Sequence, residues 1–180
     1  MENDQVSEMD ASNLAEGGAG DPRQRSTIGF PYADLADVEG VAFAIHSNVA
    51  YGTCTDDQLA PWLKLSPKSS GFRIRISAAR LFGLVDTEGG RHSLTNLGKA
   101  IVDPMSQRAA RVDSFLRVPL FARVFAEYKG NVLPPAAALE RAIEGMGVAP
   151  KQKTRARQLL ERSADQAGFF EQGKGRLVKP

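Results

Sequence analysis

The chain has 180 residues, 42% hydrophobic and 24% charged, with a formal net charge of +2, an ordinary composition for a soluble globular protein. No apolar run approaches the roughly 18 residues that cross a bilayer, no cationic start followed by an apolar core marks a secretory signal, and the single cysteine, Cys54, excludes an internal disulfide and fits a reducing cytoplasm. The small net charge hides a partition: residues 1–22 hold Glu2, Asp4, Glu8, Asp10, Glu16 and Asp21 with no Lys or Arg, so the other 158 residues carry all 23 basic groups against 15 acidic ones, a net of +8.

Residues 1–27 are acidic, aromatic-free and rich in small residues. Such a stretch cannot bury enough surface to order itself, so a disordered acidic tail is expected. It suits either a solubilising leader or an electrostatic competitor for a basic surface. Phe30-Pro31-Tyr32 opens the folded part. From Ala33 to about Ala50, Leu35, Val38, Val41-Ala42, Ile45 and Val49 recur with a helical period. Thr55 with Gln58 three residues on makes a capping-box pattern for a short helix over 56–64, which carries Pro61 in its second turn. Ser66-Pro67-Lys68 is a turn.

The stretch 69–82 is ambiguous, since Phe72-Arg73-Ile74-Arg75-Ile76 alternates like a strand. Helix is preferred, because Ser77-Ala78-Ala79-Arg80-Leu81 continues it unbroken to a Gly83 stop. In that helix Phe72, Ile76 and Ala79 stack together, while Ser69, Ser70, Arg73, Ser77 and Arg80 gather on the opposite side. Leu84-Val85 begins a strand, Thr87-Glu88-Gly89-Gly90 turns, His92-Ser93-Leu94 returns, and Thr95 caps a helix ending near Val102. Beyond Asp103-Pro104 the pattern predicts one long helix over 106–129, kinked at Pro119. A helix from Pro134-Pro135 to Gly145 follows, and then a basic helix over 151–167. That last helix projects Lys151, Arg155, Gln158 and Arg162 away from its apolar side.

Two of these stretches read as one unit written twice, about 85 residues apart. Leu65-Ser66-Pro67-Lys68, a basic helix to Ala79, Gly83-Leu84-Val85-Asp86 and Gly90-Arg91 form the first copy. Val148-Ala149-Pro150-Lys151, a basic helix to Ala164, Gly168-Phe169-Phe170-Glu171 and Gly175-Arg176 form the second, with two residues of slippage at the Pro-Lys end. Helix, glycine stop, apolar strand, turn and Arg-led return strand are the layout of a winged helix-turn-helix. The expected fold is therefore mainly α with small β wings, two such modules packed together. The expected divisions are a tail over 1–27, a first module over 28–104 and a second over 105–180.

Catalysis finds little support. His46 and His92 are isolated, and there is no metal-binding His-Glu-x-x-His, cysteine pair, phosphate loop or nucleophile elbow. Asp56-Asp57 reads as acid favoured in a first helical turn, and Cys54 as an inert thiol. No enzyme activity, cofactor or metal is expected. Double-stranded DNA is the expected partner, with dimerisation left open. A recognition helix needs small and hydrogen-bonding residues near its start and Arg or Lys for base edges and phosphates. Lys68, Ser69, Ser70, Arg73, Ser77 and Arg80 meet that need, with Arg91 on the wing to brace a phosphate or minor groove. Lys151, Arg155 and Arg162 are the matching candidates of the second helix for DNA contact, with solvated coverage of the helix or packing between modules as the alternative.

The run Ser77-Ala78-Ala79-Arg80-Leu81-Phe82-Gly83-Leu84-Val85, with Gly90-Arg91-His92-Ser93-Leu94-Thr95-Asn96-Leu97-Gly98, resembles the end of the winged helix-turn-helix in many bacterial proteins. It is similar to MarR- and PadR-like regulators and to the dimerisation domain of small-molecule O-methyltransferases, whose wing does not bind DNA. Residues 30–170 further resemble bacterial proteins with two such modules. Nothing in the chain resembles a methyltransferase Rossmann domain, so that activity does not carry over. The resemblance implies a cytoplasmic transcription regulator that binds duplex DNA, or a non-catalytic interaction module on the same fold.

Overall fold

The computed structural model describes residues 24–180; the expected tail lies, for residues 1–23, outside the described residues. Helix α1, Leu35–Val49, starts where Asp34 accepts the Asp37 N–H on Oδ1 at 3.1 Å, a side-chain cap for an otherwise unpaired donor. It buries Leu35, Val38, Val41, Ala42 and Ile45, the apolar stripe of the sequence. Gly40 lies in mid-helix on the exposed side, with open space where a Cβ would stand. Gly40→Ala should therefore stabilise the protein by about 0.5–1 kcal/mol, since alanine removes backbone freedom from the unfolded chain at no steric cost. Thermal unfolding reads it, and a loss of stability would mean that this face is covered in solution.

Strand β1 (Cys54–Thr55) leads into α2 (Asp56–Trp62), with the Thr55 N–H donated to Gln58 Oε1 at 2.9 Å. Then α3 spans Ser70–Leu81, a helix where alternation alone suggested a strand. Ser69 caps it, Phe72, Ile76 and Ala79 are buried, and Arg75 turns to Asp37 of α1 at 3.5 Å. Strands β2 (Val85–Glu88) and β3 (Arg91–Leu94) form a hairpin around Gly89-Gly90. The φ values of +55° and +74° at that pair are what a two-residue type I′ turn requires. The sheet order is β1-β3-β2, all antiparallel, with Thr55 opposite Arg91. The two-residue β1 was not foreseen.

Helix α4 (Asn96–Val102), capped by Thr95, joins the halves. The single kinked helix expected over 106–129 is instead two, α5 (Gln107–Arg117) and α6 (Pro119–Tyr128). Val118 between them is extended, with φ −71° and ψ 120°. A residue before proline is pushed out of the α region, and Pro119 is well placed at the first position of a new helix. Then come α7 (Ala136–Gly145), a 3-10 turn (Pro150–Gln152) and α8 (Lys153–Gln166).

The two stretches read as a repeat end their helices with the same hydrogen bonds, a common way for a helix to stop. After α2, Lys64 donates to the Pro61 carbonyl and Leu65 to that of Ala60; after α7, Gly147 donates to Glu144 and Val148 to Ile143. Lys64 and Gly147 both take positive φ. Past the next helix, Gly83 to Arg80 and Leu84 to Ala79 match Gly168 to Asp165 and Phe169 to Ala164. The two-residue slippage has a plain cause: α8 has 14 residues where α3 has 12. The second wing, however, does not form. Residues 169–174 are turns and a bend, and a lone Val132–Arg176 bridge stands where the first half pairs Thr55 with Arg91. The described fold is mainly α with one small three-stranded antiparallel sheet.

The halves share one core running from Phe30 to Leu177. Ring contacts cross it in series: Phe82 to Phe121 at 6.0 Å, Phe121 to Phe115 at 5.0 Å, Phe115 to Phe169 at 4.5 Å. A nearly buried Glu39 on α1 accepts two hydrogen bonds from Arg111 on α5, at 2.5 and 3.0 Å. The expected tail boundary at residue 27 also shifts. Ser26 Oγ accepts from Ala149 N–H at 2.8 Å, and Thr27 N–H donates to the Gly147 carbonyl at 2.8 Å, so the chain is docked on the second half from there.

Candidate nucleic-acid interface

The outward side of α3 carries Ser70, Arg73, Ser77 and Arg80, all exposed, as the helical spacing predicts. Neither arginine takes an ion pair among the described residues, so both heads remain solvated and available to an anion. Ser69 is different. Its Oγ accepts the Phe72 N–H at 3.1 Å and donates to the Ser66 carbonyl at 2.7 Å, which makes it a cap that fixes where the helix begins. Lys68 is exposed in the turn just before it. Arg91 closes the hairpin turn opposite Glu88 and is exposed, but its Nε donates to Thr53 Oγ1 at 2.9 Å. That bond holds the stem against the approach to β1.

The second helix is arranged otherwise. Lys151 is exposed in the 3-10 turn. Arg155 stacks over the Tyr32 ring at 4.7 Å and donates to the Tyr32 carbonyl at 3.1 Å, while Arg162 pairs with Asp34 at 3.1 Å. Two of its three candidates are thus turned onto the segment that enters α1.

His92 is the residue the sequence undersold. Its ring is buried, with Nδ1 2.8 Å from Thr87 Oγ1 and Nε2 2.5 Å from Asp56 Oδ1. These bonds tie both strands of the β2–β3 hairpin to the start of α2. With both ring nitrogens engaged and the ring buried, it has no free nitrogen to offer a substrate. Its partners lie 5 and 36 positions away on other elements, so no local motif announces them. Cys54 is buried, and burial pushes its thiol up, with opposing effects from Arg91 and Asp56. A thiolate, the reactive form, is disfavoured there. Among the described residues no three His, Cys, Asp or Glu side chains are grouped to hold a metal ion, and no helix is long and apolar enough to cross a membrane.

Sequence reading also passed over Arg117. It ends α5, is exposed, and runs across Gly83 immediately after α3. With Ser77, Arg80, Leu81, Asp86 and Thr95 it lines a groove beside the end of α3. No known protein family, curated protein or solved structure matches the chain.

Proposed function

We propose that the protein binds double-stranded DNA, as a transcription regulator, through a winged helix-turn-helix formed by residues 28–104. In this reading α3 enters the major groove, the β2–β3 hairpin is the wing, and residues 105–180 form a second, wingless helical module packed against the first. The observation that carries it is the exposed α3 face, on which Arg73 and Arg80 stand unpaired among the described residues beside Ser70 and Ser77. Arginine and small hydroxyl residues at the start and outer face of such a helix suit base edges and phosphates. The net charge of +8 outside residues 1–22 adds attraction for a polyanion.

Fluorescence anisotropy with labelled duplex across a salt series tests this. The expected log–log slope is about −3 to −6, for roughly four to six phosphate contacts. Arg73→Ala and Arg80→Ala should each weaken binding by about 1–3 kcal/mol where they meet bases. Arg75→Ala should do less, because Arg75 faces Asp37 on α1. Equal losses for all three would reduce the effect to bulk charge. A second reading, a non-catalytic interaction or dimerisation module, draws on one feature: Phe43 on α1 is 38% exposed along a line with Ala36, Gly40 and Ser47. Absent or salt-independent duplex binding, with self-association in sedimentation, would favour it.

A further inference from the structure

We infer that Arg117 is a phosphate-contacting residue contributed by the second half of the chain, so that one duplex is held by α3 and α5 together. The inference rests on the DNA-binding reading and adds a residue from outside the winged unit. The notch that seats Arg117 is built into the backbone. Gly83 has φ +77°, and a Cβ there would lie 2.2 Å from Arg117 Cδ and 2.4 Å from Nε. Only glycine both adopts that conformation readily and leaves room for the arginine stem.

The stem lies across the end of α3 in the space that Gly83 leaves open, and it lines the same groove as Ser77 and Arg80. Four other arginines of the second half are paired within the protein: Arg108 with Glu171, Arg111 with Glu39, Arg157 with Glu140 and Glu161, Arg162 with Asp34; Arg123 and Arg141 are exposed without an ion pair among the described residues but do not line this groove. Arg117 takes no ion pair among the described residues, although Asp86 shares its groove and Asp113 lines the adjoining one, one turn back on α5. The guanidinium fork suits the paired oxygens of a phosphodiester. The two carboxylates oppose the attraction of Arg80 and Arg117 for a phosphate, so removing one of them is part of the test.

The test uses the full chain and Arg117→Met, which keeps an apolar stem and removes the charge, with Tm measured on both. Duplex affinity should fall about five- to tenfold at roughly 0.1 M salt, the salt slope should flatten by about 1, and the loss should be alike for different duplex sequences. Arg117→Lys should keep most of the slope, and Asp113→Asn should tighten binding. Inorganic phosphate at constant ionic strength should compete poorly, because a single anion lacks the neighbouring contacts on α3. Strong competition by phosphate alone would make this a small-anion site and overturn the inference. If Arg73→Ala and Arg80→Ala weaken binding but Arg117→Met leaves the slope unchanged with an unaltered Tm, the Arg117 contact is wrong and the DNA reading stands. If the wild type does not bind duplex at low salt, both fall.

Discussion

Phe115→Ala should cost the protein about 3–5 kcal/mol, and the whole described chain should feel it in one transition. Phe115 is fully buried on α5, in ring contact with Phe121 of α6 and Phe169 after α8. Phe121 in turn meets Phe82, the residue that ends α3 in the first half. Deleting the middle ring removes transfer free energy and leaves a cavity between partners that cannot all close in. For domains that are usually stable by only about 5–15 kcal/mol, that is a large fraction. Urea unfolding followed by two probes decides how far the damage spreads. Trp62, the sole tryptophan, sits on α2 in the first half, whereas far-UV circular dichroism sees every helix. Both midpoints should fall together. A Trp62 transition left at the wild-type midpoint, with only the dichroism shifted, would mean two independently stable modules and would defeat the shared-core account.

That shared core is what the sequence conveyed least well. Elements with local grammar were legible. Gly83 after a helix, Gly89-Gly90 between strand runs and Thr95 before the next helix each fix their own neighbourhood and stand where expected, whereas Ser69, expected on the outer face of the helix, caps it. Leu84, Val85, Leu94, Ile101, Leu159, Leu160 and Phe169 are buried, while Leu97 is only partly so. What failed depended on distance or on competition. Glu39 meets Arg111 across 72 positions and His92 meets Asp56 across 36; no spacing rule reaches that far. The second wing lost to packing. Phe169 turns into the aromatic cluster, and Gly173, the counterpart of Glu88 in β2, takes positive φ where a strand would need extended backbone. The first hairpin instead alternates buried and exposed residues along β3 and has its turn glycines side by side. Of the candidate site, the α3 face was readable because it is one helix. The use of Arg155 and Arg162 against residues 32–34, and the position of Arg117, were not, because each is set by docking of the two halves.

Gly98→Ala should be almost as damaging as the loss of Phe115, although it adds a single methyl group. The reason lies in the Leu94-Thr95-Asn96-Leu97-Gly98 run that closes the wing. Thr95 Oγ1 accepts the Gly98 N–H at 2.9 Å and donates to the Gly83 carbonyl at 2.5 Å, while Thr95 N–H donates to the Leu84 carbonyl at 3.1 Å. Together these draw the first turn of α4 onto the backbone between α3 and β2. A Cβ at position 98 would stand 2.0 Å from the Leu84 carbonyl oxygen and 3.0 Å from its carbon. Leu84 has little freedom to retreat, because its N–H, in the preceding peptide, is donated to the Ala79 carbonyl at 2.9 Å. Relief requires α4 to lift by about an ångström or more, stretching the Thr95–Leu84 bond and loosening Ile101 and Val102, both buried. Overpacking usually costs about 1–3 kcal/mol and sometimes more; rigid backbone on one side places this case near 3. For a chain of this length that lowers Tm by about 6–12 °C. Gly40→Ala, made in parallel, should move Tm the other way. A Gly98→Ala protein melting with the wild type would mean that α4 does not sit on the Leu84 carbonyl, and the packing assigned to the end of the wing would have to be abandoned.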